Sequence, residues 1–529
     1  MSNDSSVVDV AIVGGGPCGM FAGLLLARAG VKCRIFEQKD GISSHPKAMG
    51  ITRRTSELFR QCGLHRALEE GALDLGGREL VIWARSLAGE ELGRVALGEV
   101  HSSLTPCTSM HCPQPHTERV LFDALEREAH AEVHFGVRVE EVLAGEDSVE
   151  LRLADSSTHR AAWVIAADGA GSHTRRGLDI GTDGPGDLGH FVNVLFRASY
   201  GDRLADRKAL LYNIFGETAF EFFVAVDGRE HWLMHHFLQP GETPAQLTKD
   251  RAEEIIRSVS GMPEIPVEVL GMSPWVMSPK VAKQWRSGRI FLAGDAAARL
   301  SPAGGLGLNT GLQGVHNLAW KLAWVVKRSA PESLLDTYED ERRPVAMELM
   351  QGSNKNADEI FAAVAAALRE DWEGVRTIAA SSRRAGSGIG RDLGTQYRQG
   401  AFLPDGTTAE SPADPVNDYL PEARPGARAP HIPLPDRHRS STLDFFGSGF
   451  VVLGGKASGA SRIEQVPFFQ NGLDFEAPGF EAAYGIGSSG VVLIRPDGVV
   501  GARFPEGCAP TALCRAMEDV LTVSPEKKL

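Results

Sequence analysis

GDAAARLSPAGGLGLNTGLQGVHNL, residues Gly294 to Leu318, begins where the apolar strand of WRSGRIFLAGD runs out and ends inside a long apolar helix. Asp295 stands at the C-terminal end of that strand, where an open α/β sheet places its ligands. Gly304, Gly305 and Gly307 let the backbone come close to a flat ligand, and the helix opening at Leu308 and Asn309 presents free N–H groups. A helix N-terminus favours negative charge. A reduced flavin carries such charge along its N1–C2=O edge. Gly294, Asp295, Gly305, Gly307, Leu308 and Asn309 are therefore candidate contacts for a flavin.

Two upstream stretches complete the pattern. Val7–Val13 is a nearly continuous apolar run, as expected of a buried parallel strand. Gly14-Gly-Gly16-Pro17-Cys-Gly19 follows and opens a helix expected over Met20–Ala29; a second strand, Val31–Phe36, then delivers Glu37 and Gln38. Strand, GxGxxG, helix, strand and acid form the dinucleotide fingerprint in its required context, with Glu37 placed for a ribose. The second stretch, Trp163 to Arg176, is a strand ending in Asp168-Gly169 and followed by basic residues. Arg175 is a candidate phosphate contact there or, equally, a surface arginine at a helix start.

In this order the three motifs resemble the class A flavin-dependent aromatic hydroxylases, the group with the para-hydroxybenzoate hydroxylase fold. The likeness extends to hydroxylases of phenols, aromatic polyketides and indolocarbazole-type compounds. It implies an α/β fold: a Rossmann-like FAD-binding domain interleaved with an antiparallel-sheet substrate domain, plus a C-terminal thioredoxin-like α/β domain. It also implies FAD as cofactor, NADPH or NADH as transient hydride donor, and dioxygen as co-substrate. The reaction expected is hydroxylation of an aromatic or polycyclic substrate through a flavin C4a-hydroperoxide. Lys47 stands where the family usually carries an arginine; it keeps the charge without the planar fork. Gln114 and Glu118 match a Gln-Pro-x-x-Glu pattern whose glutamine bonds the cofactor. Ala298-Arg-Leu-Ser-Pro302 replaces a common HxxPP-like pattern, with Pro302 kept as a candidate for positioning the flavin.

Composition agrees with a soluble enzyme. The chain has 529 residues, 43% apolar and 23% charged, enough for several domains and a large core. A net charge of −13 argues against nucleic acid or an anionic membrane as partner. No run reaches the roughly 18 apolar residues of a membrane span, and MSNDSSVVDV lacks a basic signal-peptide start. Seven scattered cysteines suit a reducing, cytoplasmic setting. Cys107, His111, Cys112 and His116 are crowded and interrupted by Pro113 and Pro115, unlike the separated pairs of structural zinc sites, so no metal is expected.

The resulting division places the FAD-binding domain at 1–75, 106–185 and 276–380, the last with its helices. The substrate domain takes a β-ribbon within 76–105 and the sheet of 186–275; a Gly- and Pro-rich linker fills 381–440, and the thioredoxin-like unit 441–529. In the substrate sheet, strands are expected at Phe191–Ala198, Leu210–Gly216, Ala219–Val226 and Glu230–Leu238, with Asp227-Gly228 as a hairpin turn. On the last strand His231, Leu233, His235 and Phe237 share one face, and Trp232, Met234, His236 and Leu238 the other; which face meets the substrate is open. Tyr212 and His235, with Pro302 of the flavin loop, are the candidate catalytic residues, and Tyr212, Phe222, Trp232 and Phe237 the candidate walls for a flat ring system. Cys508 and Cys514 do not form a CxxC, so the last unit is expected to support packing or a homodimer rather than exchange disulfides. A Baeyer–Villiger oxygenation on the same scaffold, or a flavin-binding protein without oxygenase turnover, are the alternatives; a flavin halogenase would need a WxWxIP-like segment that Ser273-Pro-Trp275-Val-Met does not supply.

Overall fold

The computed structural model describes residues 7–74, 80–96, 102–216, 220–239, 241–382, 386–408, 410, 412–435, 439–447, 449–462 and 469–522. Parts of the segment 76–105 expected to hold the ribbon, the strand start expected at Ala219 and the boundary expected at 75/76 lie outside the described residues.

Val8–Val13 is apolar throughout its inner length because it lies in the middle of the larger sheet, covered on both faces. It pairs in parallel with Cys33–Glu37 on one side and Thr158–Ala166 on the other; Ala131–Phe135 and Ile290–Leu292 extend the parallel set outward. Ala166 is paired with Val13 across one edge and with Leu292 across the other. Three adjacent strands therefore end level, and the GxGxxG, DG and GD turns leave the sheet side by side. Motifs far apart in sequence become one site by strand register alone.

Helices Pro17–Arg28, Gln114–Leu125 and Gly307–Val326 share one core with this sheet. The first begins at Pro17 rather than Met20, since a proline in the first turn forfeits no ladder bond. The second begins at Gln114 and likewise accommodates a proline, Pro115, in its first turn. A further long helix, Thr337–Ala367, runs through Pro344.

The substrate sheet runs in the order Glu268–Met277, Gly189–Arg197, His231–Phe237, Phe220–Ala225, Leu211–Phe215, Leu80–Ala84, Glu91–Ala96. Its pairings are antiparallel except that between Leu211–Phe215 and Leu80–Ala84, where the ribbon joins in parallel. Helix Lys249–Ser260 covers one face, burying Phe196, Tyr212, Phe223, Trp232 and Met234. At the expected hairpin turn, Asp227 Oδ1 accepts the N–H groups of Arg229, Glu230 and His231, and Gly228 takes a φ of 68°.

The C-terminal unit is a four-stranded sheet in the order Phe469–Phe475, Phe450–Gly455, Val491–Ile494, Val500–Phe504, with helix Pro510–Leu521 against it. It docks on the helix Gly307–Val326, where Trp320 and Trp324 meet Phe450 edge-on at 5.9 and 5.2 Å. Among its described residues the stretch expected as a linker has little regular structure, yet these residues are packed rather than free. Its Arg428 is buried in a bidentate pair with the buried Glu57, and Ala423 and Ala429 have no exposed surface. Arg54 is likewise enclosed, donating to Glu57 at 3.0 Å and to the Asp497 carbonyl at 2.8 Å. Among the described residues, no helix is long and apolar enough to cross a membrane.

Candidate active site

The three level strand ends open into a cavity of about 920 Å³ that runs from the motif turns to the uncovered face of the substrate sheet. At the near end it is lined by Gly16, Pro17, Lys47, Gln114, Gly169, Gly294, Asp295, Pro302, Gly305, Gly307 and Leu308. At the far end it is lined by Phe191, Asn193, Phe222, His235, Trp275 and Phe361.

The near end is built by close backbone approach. A Cβ on Gly14 would lie 2.3 Å from the Ala167 carbonyl oxygen, and one on Gly19 would lie 1.9 Å from that of Gly14. These two glycines pack the turn rather than line the cavity. Gly16 and Gly169, by contrast, have no atom within 4 Å of where a Cβ would stand; their backbones face open space. Glu37 closes the turn, accepting the Gly15 N–H at 2.7 Å and the Lys39 N–H at 3.0 Å. Asp168 accepts the Thr174 N–H at 3.0 Å through Oδ2, while its buried Oδ1 has no partner among the described residues.

Asp295 lines the cavity, where its side chain has accessible surface, yet it is enclosed by surrounding protein. That enclosure raises its pKa, and Arg299 and Lys47 offset part of the rise. Lys47 is itself lowered, by burial and then by Lys39 beside it. Gln114 lines the cavity while donating to Glu118 at 2.6 Å, and Glu118 in turn accepts the Ser43 N–H.

The loop of Pro302 to Asn309 is held from within. Gly305 N–H bonds the Pro302 carbonyl at 3.0 Å, with Gly305 at a φ of 67°. Asn309 is a strut: its Oδ1 accepts the Thr52 N–H at 2.8 Å and its Nδ2 donates to the carbonyls of Gly50 and Gly305. Thr310 N–H is bonded to Leu306, so the amides of Gly307, Leu308 and Asn309 precede the helix ladder and stand at its positive end.

Several expected site residues are placed elsewhere. Tyr212 lies on the helix-covered face of the sheet, where its hydroxyl donates to the Arg207 carbonyl and accepts the Ala209 N–H, both at 2.8 Å. Strand alternation turns it from the cavity, and Trp232 with it. Arg175 donates to the Ile180 carbonyl at 2.8 Å, tying down its own short helix away from the cavity. Gln38 is exposed beyond the strand end. His235 and Phe222 are on the cavity face. Sequence reading missed Asn193, Trp275 and His45, whose only signal was strand parity or a position beside Lys47. The four residues of the zinc reading have protein partners or apolar burial: His111 bonds the Ala225 carbonyl, His116 that of Ala67, and Cys112 the Thr117 hydroxyl, while Cys107 is buried.

The residues fit FAD. A glycine-lined cradle, an unpartnered buried Asp168 Oδ1, an inward-facing Asp295 and a helix N-terminus together match a dinucleotide bearing an electron-accepting ring.

Comparison with known proteins agrees with this geometry. Residues 7–353 match the family described as FAD binding domain, and residues 422–523 the one described as aromatic-ring hydroxylase, C-terminal. The chain is 34% identical to tetracenomycin A2 monooxygenase-dioxygenase of Streptomyces glaucescens, covering 97% of each chain. It is 33% identical to aklavinone 12-hydroxylase RdmE of Streptomyces purpurascens, covering 97% of this chain and 98% of the relative. Among solved structures, the flavin-dependent monooxygenase PieE in complex with FAD and substrate superposes with a TM-score of 0.91 at 28% identity, covering 98% of this chain and all of that one.

Proposed function

Because the chain belongs to the family of FAD-dependent aromatic-ring hydroxylases, we propose that it is a monooxygenase placing one hydroxyl on a flat polycyclic substrate of the aromatic polyketide kind, with NADPH or NADH as electron donor. The observation that carries this reading is continuity: one cavity joins the dinucleotide cradle to an aromatic sheet face with few polar groups. Relatives named for tetracenomycin and aklavinone support a polycyclic substrate. The relative named as a hydroxylase weighs against a Baeyer–Villiger outcome, and the oxygenase activity of both weighs against a flavin carrier without turnover.

When bound, FAD would supply electron storage and the activation of dioxygen. The chain's residues do the rest. Gly16, Gly169 and the turn around them would admit the diphosphate, and Asp295 on the cavity and Glu37 at the strand end would hold hydroxyl groups of the cofactor. Lys47 and Arg299 place positive charge at the same end. The amides at Gly307, Leu308 and Asn309, at the positive end of the helix, would stabilise negative charge on a ring bound there. Phe191, Phe222, Trp275 and Phe361 exclude water and fix the plane of the substrate. Turnover under ¹⁸O-labelled dioxygen tests the proposal: label in the organic product is expected, whereas label appearing only in hydrogen peroxide would refute it.

A further inference from the structure

Two consecutive histidines on strand His231–Phe237 meet opposite environments. His236 faces the helix-covered side and binds the buried Glu221 through Nδ1 at 2.6 Å. Burial pulls its pKa down, but the hydrogen bond and charge of Glu221 lift it above the ordinary value. That pair belongs to the core. His235 faces the cavity and meets an amide instead: its Nδ1 lies 2.6 Å from Asn193 Oδ1.

The same Asn193 Oδ1 also accepts from the indole Nε1–H of Trp275. An indole nitrogen is a donor only, so the Asn193 atom facing it is the oxygen, and the amide orientation is settled by that contact. An amide oxygen is an acceptor only, so His235 Nδ1 must carry the proton. In a neutral ring Nε2 is then the acceptor. Trp275 is itself held, stacked on Phe191 at 4.6 Å and 13°. Trp275 and Phe222 stand edge-on to the His235 ring, at 6.0 and 6.4 Å, and fix its plane.

We propose that His235, locked by Asn193 and Trp275 with its proton on Nδ1, presents the Nε2 lone pair as the hydrogen-bond acceptor for a hydroxyl of the substrate, so that the enzyme selects hydroxylated polycyclic rings. This deepens the monooxygenase reading and rests on it for the identity of the ligand. The role is orientation rather than proton removal. Enclosure, with His45 adding to it, holds His235 at about 4. A phenolic hydroxyl ordinarily ionises near 10, so the imidazole accepts the hydrogen bond without keeping the proton. A hydroxyl that donates to Nε2 is more electron-releasing toward its ring, which favours attack on the carbons ortho and para to it.

The oxidised, FAD-loaded protein is titrated with 2-hydroxyanthraquinone and with 2-methoxyanthraquinone, following flavin absorbance and fluorescence. The hydroxylated probe is expected to bind about tenfold more tightly, the value of one hydrogen bond. His235→Leu should remove the preference, and His235→Gln, which keeps an acceptor near the Nε2 position, should retain it. Asn193→Leu, which frees the ring to take either tautomer, should reduce the preference; a purely structural lesion would weaken both probes alike and leave their ratio unchanged. No binding of the hydroxylated probe, equal affinity in the unaltered protein, or a preference surviving in His235→Leu would overturn the assignment. The isotope experiment is independent: if label never reaches product while the probe preference follows His235, the oxygenase reading falls and the anchor stands.

Discussion

Glu341 and Arg495 lie 154 positions apart and meet in a bidentate pair at 2.8 and 2.9 Å, with neither side chain exposed. The pair joins the long helix Thr337–Ala367 to the C-terminal sheet. Lys321 also reaches Glu341 at 2.9 Å, and Asp497 binds the other side of Arg495. Two acids and two bases thus neutralise one another in a region without solvent. Asn317, Tyr397 and the Ala401 N–H extend the network.

Glu341→Gln should destabilise the protein severely, by about 3–5 kcal/mol, because it leaves two buried cations, Arg495 and Lys321, with Asp497 as the one remaining counter-charge in the cluster. Chemical denaturation followed by tryptophan fluorescence measures this. The same carboxylate gives an acid limit. Burial alone would raise it, but Arg495 and Lys321 hold it at about 2 in the fold, against about 4.3 when unfolded. Its contribution is complete above the unfolded value and is lost as pH falls from there through about 2. Unfolding midpoints measured between neutral and acid pH should fall in that window in the unaltered protein and less steeply in Glu341→Gln.

Asp295→Ala should weaken FAD retention by roughly 10- to 100-fold, the value of a hydrogen bond to a charged group in an enclosed site. Equilibrium dialysis with fluorescence of free FAD gives the constant. Unchanged affinity would mean that the GD turn does not hold the cofactor.

Gly311→Ala should loosen the same turn from behind. Its Cβ would lie 2.6 Å from Cys18 Sγ and 3.1 Å from Gly294 Cα, and Gly294 already sits at a φ of 58°. Overpacking of this kind costs about 1–3 kcal/mol, and FAD affinity should fall with it. Gly314→Ala, on the same helix, meets only the Tyr338 hydroxyl at 3.7 Å and should be neutral or slightly stabilising. Thermal melts of the two variants, with and without FAD, separate local crowding from a general effect of helix substitution.

Tyr212→Phe should cost about 1–3 kcal/mol by leaving the buried Ala209 N–H unpaired, while turnover and substrate affinity stay as they were. Steady-state assays beside denaturation curves test this. A large drop in turnover with unchanged stability would return Tyr212 to the site.

The sequence determined the near end of the site. Gly14, Gly16, Asp168, Gly169, Gly294 and Asp295 are tied to local strand–turn–helix geometry, and such geometry is written in neighbouring residues. The parallel core strands and the hairpin at Asp227-Gly228 were legible for the same reason. What the tertiary structure decided depends on contacts between distant segments. Strand alternation separates His235 from His236, but only helix Lys249–Ser260, by covering one face, makes His235 the cavity residue and removes Tyr212 and Trp232 from the site. The Gly- and Pro-rich stretch around Arg428 reads locally as a tether, and becomes a packed strap because Glu57 requires a buried cation. Glu341 sits in an ordinary charged helical run and Asp497 in an ordinary turn; only the docking of the C-terminal sheet removes their water and makes their pairing with Arg495 obligatory.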